Sequence, residues 1–186
     1  AIRLADPSAQ VWIGGLLLDG PNTVIVGHIG KPQLFLQGIL EAGAAPYFDV
    51  VPYHAYVRWR DEIVDMDIFS LTDWDAWGGK IVGKANYLRT IMRNYGVSKP
   101  LFVTETSVVC SWCDASRLTA LFDMQANMVA RSFPRALAAR INGMIWYTLD
   151  GLPPSPSSIE YTGTFIVSNT VVVRALAINP ADFSSV

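Results

Sequence analysis

Four apolar runs of strand length, residues 11–18, 48–54, 101–106 and 143–149, alternate with segments whose apolar residues recur every three or four positions. This alternation constrains the fold more than any other feature. The last three runs lack the polar alternation of a half-exposed sheet, which predicts buried parallel strands. Parallel neighbours need crossover connections, and the segments between the runs carry helical spacing. Leu34, Phe35, Ile39 and Leu40 predict a helix over 32–44, with Pro32 in its first turn. Ile81, Val82, Ala85, Leu88, Ile91 and Met92 predict a second over 79–95, ended by Gly96. A third opens near Ser116, carries Leu118, Leu121, Phe122, Gln125, Ala126 and Val129 on one side, and meets Pro134, which should kink or divide it. A weaker fourth covers 171–177, where Val171, Val172 and Val173 suit a strand equally well.

Strand followed by helix, four times in 186 residues, predicts one α/β domain over 1–186. The two familiar closures are a doubly wound sheet and part of a (β/α)8 barrel. A whole barrel takes about 250 residues, so four units amount to half of one. Only 16% of residues are charged, with 14 basic against 16 acidic and a net charge of −2, and neither sign forms a block. That argues against a nucleic-acid partner and against a polybasic membrane patch. Asp19, Lys31, Glu105, Asp150 and Arg174 interrupt the longest apolar stretches, leaving none near the roughly 18 residues of a membrane span. The chain opens at Ala1 rather than Met, and residues 1–8 lack the basic and apolar regions of a signal peptide, so a processed start is expected.

Parallel α/β folds collect ligands at the carboxyl ends of their strands. Period two groups Val50, Pro52, His54 and Tyr56 on one face, then Leu101, Val103 and Glu105, then Met144, Trp146, Thr148 and Asp150. Each apolar face ends in a polar or aromatic tip. Glu105 is the leading candidate, because residues 99–106 deliver a carboxylate from a rigid strand to the ligand end, where it can attack or deprotonate. The plainer reading of the same residue is a loop acid that caps the next helix or pairs with a lysine.

Together the tips resemble the second half of a clan A glycoside hydrolase. In that clan strand six often ends in His-x-Tyr, strand seven in Thr-Glu and strand eight in an aromatic pair. Here they read His54-Ala55-Tyr56, Thr104-Glu105 and Trp146-Tyr147, and the approach to Trp12-Ile13-Gly14-Gly15 looks like that to strand five. The resemblance implies half of a (β/α)8 barrel, four βα units with parallel strands, and hydrolysis of O-glycosidic bonds. It implies Glu105 as nucleophile, His54 and Tyr56 touching the sugar or holding the nucleophile, and Trp146 as the platform under the ring, followed by a cis peptide to Tyr147. The clan's acid/base, a glutamate after an asparagine on strand four, has no counterpart, since no Asn-Glu pair occurs in the sequence. A retaining mechanism needs two carboxyl groups about 5 to 5.5 Å apart. The missing one would come from a longer chain, from a complementary half-barrel, or from a second copy in a homodimer, whose Asp150 would then face Glu105. A half barrel that binds carbohydrate without catalysis, or serves as a scaffold, is the alternative.

Cys110-Ser111-Trp112-Cys113 follows the candidate nucleophile. It reads as a redox pair, half of a metal site, a small disulfide or two buried thiols, with Trp112 presented beside the sugar. Residues 78–85 match the glycine and lysine spacing of a phosphate loop, but Ala85 replaces the magnesium-binding Ser/Thr and no buried strand precedes them, so a plain helix start is the better reading. Trp59, Trp74 and Trp77 suit either sugar stacking or a loop core, and His28 either a ligand contact or a structural hydrogen bond. No metal and no cofactor is expected.

Overall fold

The computed structural model describes residues 2–18, 32–59, 67, 74–110, 113–148 and 174–178. Its elements, in chain order, are α1 (Ile2–Ala5), α2 (Phe35–Glu41), β1 (Val51–Arg58), α3 (Gly79–Asn94), β2 (Leu101–Val109), α4 (Leu118–Ala138), β3 (Gly143–Thr148) and β4 (Arg174–Ile178). One sheet runs β1-β2-β3-β4, with β1, β2 and β3 parallel and β4 antiparallel to β3.

This is not the expected half barrel of four βα units. Among the described residues the first apolar run makes only two isolated parallel bridges, Trp12 to Val50 just before β1 and Leu16 to Tyr53 within it. The physical reason is Gly14-Gly15, which puts two residues without side chains in the middle of the run, where a strand would need packing partners. At the other edge, residues 174–178 take the strand alternative rather than the helical one and close along β3, from Met144 opposite Ile178 to Thr148 opposite Arg174. The β3 edge at which a second copy was expected is thus paired with β4 of the same chain.

The helices follow their periodicity. Residues Pro32–Leu34 form a 3-10 turn that leads into α2. α3 ends one residue before the expected position, and Gly96 supplies the left-handed backbone beyond it, at φ +65°. α4 continues through Pro134 as one helix instead of dividing. α3 packs on β1, and α4 packs on β2 and β3 and against α3. Into this layer the sheet sends Val51, Tyr53, Ala55 and Val57 from β1 and Leu101, Val103 and Val108 from β2, all buried. Tyr53 brings a polar group with it, and its hydroxyl donates to the Ile81 carbonyl of α3 at 2.8 Å. Among the described residues no helix is long and apolar enough to cross a membrane.

The start of α3 settles the phosphate-loop spacing. Ile81 N–H donates to Asp67 Oδ1 at 3.0 Å, and Lys80 N–H donates to the Asp67 carbonyl at 3.1 Å. The chain's own carboxylate thus occupies the place where a phosphate would sit. A Cβ on Gly79, whose φ is +94°, would stand 2.5 Å from the Asp67 carbonyl oxygen, so glycine here serves close packing. Arg135 of α4 completes the arrangement, with Nη1 3.1 Å from Asp67 Oδ2, and Asp67 itself is fully buried. Removing one member of a buried ion pair leaves the other uncompensated. Asp67→Ala should lower unfolding free energy by about 3 kcal/mol, as read from urea denaturation followed by circular dichroism.

Candidate active site

Three side chains meet at the ends of β1 and β2. Tyr56 donates its hydroxyl proton to Glu105 Oε2 at 2.5 Å, and His54 Nδ1 lies 3.1 Å from the same oxygen. Oε1 accepts no hydrogen bond among the described residues. The described contacts to this carboxyl group thus fall on one of its two oxygens. His54 and Glu105 are partly buried, at 18% and 23% side-chain exposure, which keeps the group accessible but poorly hydrated.

Simple alternation does not produce this meeting. Leu101 and Val103 pair with Val51 and Tyr53, so they share the helix-covered face, not the face of His54. Between Tyr53 and His54 the register shifts by one residue, and His54 then pairs with Glu105, Ala55 with Thr106 and Tyr56 with Ser107. Thr104 is the additional residue. This β-bulge reverses the phase of β2 and turns Glu105 onto the side of His54 and Tyr56. The expected grouping of Leu101, Val103 and Glu105 on one face is therefore corrected. The bulge leaves Thr104 Oγ1 buried with no partner among the described residues.

His54 is held on several sides. Its N–H donates to the Leu16 carbonyl at 2.9 Å, its own carbonyl accepts from Lys84 Nζ at 2.8 Å, and its ring lies against the Gly15 backbone. A Cβ on Gly15 would stand 2.1 Å from His54 Nε2, a separation no side chain tolerates. Burial holds the imidazole pKa below its ordinary 6.5, the Lys84 charge acts in the same direction, and the Glu105 carboxylate opposes both. The imidazole is thereby biased toward its neutral form beside the Glu105 carboxyl group.

The other expected site residues fare differently. Trp146 lies on β3 opposite Leu176, its side chain is not among those described, and the β2–β3 pairing stops at Val103 and Met144, short of Glu105. No cis peptide occurs among the described residues, so the expected cis bond after Trp146 is absent. Asp150 and Trp112 lie outside the described residues, as does His28. Cys110 and Cys113 form a disulfide, which removes the free-thiol and metal readings of that pair. Trp59 and Trp74 are buried, in favour of a loop core. Among the described residues no cluster of metal-ligating side chains occurs.

Sequence reasoning missed Lys84, Gly15 and the bulge. A lysine inside the apolar stripe of Ile81, Ala85 and Leu88 is a legible anomaly, and so is a glycine pair inside a strand-length run. Nothing in Thr104 announces a register shift.

Residues 136–186 match the family model of the chitobiase/beta-hexosaminidase C-terminal domain, a glycosidase-related family. The match covers well under half of the chain and leaves His54, Tyr56 and Glu105 outside it. No curated protein and no solved structure matches.

Two outcomes follow from the geometry. Gly15→Ala should displace the imidazole and break its contact with Glu105, read as a changed His54 ring resonance in a chain that still folds. The depressed His54 pKa makes the unfolded chain the better proton acceptor, so stability should be full above pH 6.5 and fall as pH drops from there through the folded-state pKa. Urea midpoints measured across that range should decline less in His54→Gln than in the unaltered chain.

Proposed function

We propose that the chain carries the nucleophilic half of a retaining glycosidase site of the clan A kind, with Glu105 as nucleophile. The observation that carries this reading is the asymmetry of the Glu105 carboxyl group, in which Tyr56 and His54 lie against Oε2 and no described residue donates a hydrogen bond to Oε1. Oε1 attacks the anomeric carbon, the bond from that carbon to the leaving oxygen breaks, and a carboxylic acid protonates the leaving oxygen. Water then attacks the anomeric carbon, the bond from that carbon to Glu105 Oε1 breaks to restore the carboxylate, and the second carboxyl group takes the proton of the water. The candidate for that group within this sequence is Asp150, two residues past the end of β3, a strand parallel to β2. A separate polypeptide is the other source. Trp146 and Trp112 are proposed sugar contacts, and 1–186 is proposed to act as one domain.

The match of residues 136–186 to a chitobiase/beta-hexosaminidase C-terminal domain supports a glycosidase-associated role and makes N-acetylhexosaminides the first substrates to test. The same match supports a second reading, since it lies C-terminal to Glu105 and concerns a domain named for its terminal place. In that reading the chain binds carbohydrate beside a catalytic unit without performing the chemistry.

Aryl glycosides, with an aryl N-acetylglucosaminide among them, distinguish the two. Glu105→Ala should reduce kcat/KM by about a thousandfold or more, and added azide should restore turnover by taking the vacated place of the carboxylate. Tyr56→Phe should cost about tenfold in kcat while leaving the fold intact. An inactive native chain that binds chito-oligosaccharide in calorimetry sinks the nucleophile and supports the binding reading.

A further inference from the structure

Lys84 stands where the pattern of α3 calls for an apolar residue. It is three residues after Ile81 and four before Leu88, both fully buried, and it is itself only 3% exposed. Among the described residues it is the one buried cation. Burying an ammonium costs several kcal/mol unless acceptors replace its water. Here two backbone carbonyls do so, Leu17 at 2.6 Å and His54 at 2.8 Å, and the Trp74 ring lies 5.8 Å away. These acceptors are not arbitrary. Leu16 takes the N–H of His54 through its carbonyl, and Leu17, the next residue, shares the ammonium with the carbonyl of His54. Lys84 thus continues with a side chain the pairing that the first segment makes with β1 by its backbone.

We propose that Lys84 is a positioning residue for the reaction at Glu105: a buried ammonium that clamps the His54 peptide to the Leu17 carbonyl and sets where the imidazole meets the carboxylate. The proposal rests on the glycosidase reading for its catalytic consequence, but its physical content does not. Three groups face His54 in the described structure: Glu105 on β2, Tyr56 on its own strand, and Lys84 on α3. The Gly15 backbone on the fourth side carries no charge. Burial opposes imidazolium formation most, the Lys84 charge at the His54 carbonyl acts in the same direction, and Glu105 promotes it. Lys84 therefore adds to burial in holding the ring uncharged beside Oε2, which leaves the carboxylate's charge for the substrate.

The chain has two histidines, so the His54 ring resonance can be assigned by comparison with His54→Gln and followed by NMR against pH. In Lys84→Met the ring should titrate at higher pH than in the unaltered chain, and in Lys84→Arg, which retains the charge, it should titrate close to the unaltered value. The acid limb of the kcat/KM profile should move upward with the ring in Lys84→Met, with a loss of about tenfold at pH 7 and recovery in Lys84→Arg. A His54 titration unchanged in a folded Lys84→Met overturns the proposal. Should that variant not fold, Lys84→Gln, a donor without charge, takes its place. In the unaltered chain a Lys84 ammonium in fast exchange with water overturns the proposal equally. An inactive native chain with the His54 shift intact removes the glycosidase reading and leaves the clamp standing; activity with no shift does the reverse.

Discussion

The candidate site depends on one extra residue in one strand. Had β2 run in regular register with β1, His54 would pair with Thr104, and Glu105 would turn into the helix layer with Ala55. The bulge exchanges that arrangement for one in which a carboxylate, a phenol and an imidazole share a face, and it does so next to a ladder that is otherwise regular to Arg58 and Val109. Its cost is visible in the buried hydroxyl of Thr104, which finds no partner among the described residues. Local departures of this kind gather at sites, where aiming a side chain matters more than pairing.

Around the bulge the polar groups are supported from behind. Lys84 reaches β1 from α3, and Asp67 ties the start of α3 to Arg135 of α4. Both are buried charges, Lys84 donating to the backbone carbonyls of Leu17 and His54, and Asp67 accepting from the Ile81 N–H and lying against Arg135. The result is a rigid platform in which the helix that covers β1 also fixes the height of His54. Removing water from this layer strengthens each of these contacts.

Periodicity made the helices legible, and three of the four apolar runs became strands. Ile81, Leu88 and Met92 marked the buried side of α3 because 3.6-residue spacing survives any tertiary context that keeps one face dry. The first run misled because apolar content alone does not reveal that Gly14-Gly15 lacks packing atoms. The last segment was ambiguous for the opposite reason, since its three valines fit two geometries, and only Arg174–Ile178 are seen to take the strand along the edge of β3. The tips His54, Tyr56 and Glu105 were found by position at strand ends, yet their convergence depended on a register shift that no residue type encodes. The barrel expectation failed because it required parallel addition at both edges, and β4 runs the other way.

The antiparallel β4 also bears on how such a chain could be assembled from parts. The segment that matches a known domain begins at residue 136, inside the last turns of α4, and supplies both β3 and β4 to a sheet whose other strands precede it. Its border cuts through a helix and across a hydrogen-bonded seam. A cassette exchanged at that border would leave β2 paired with β1 alone, so recombination among relatives should respect the sheet rather than the match.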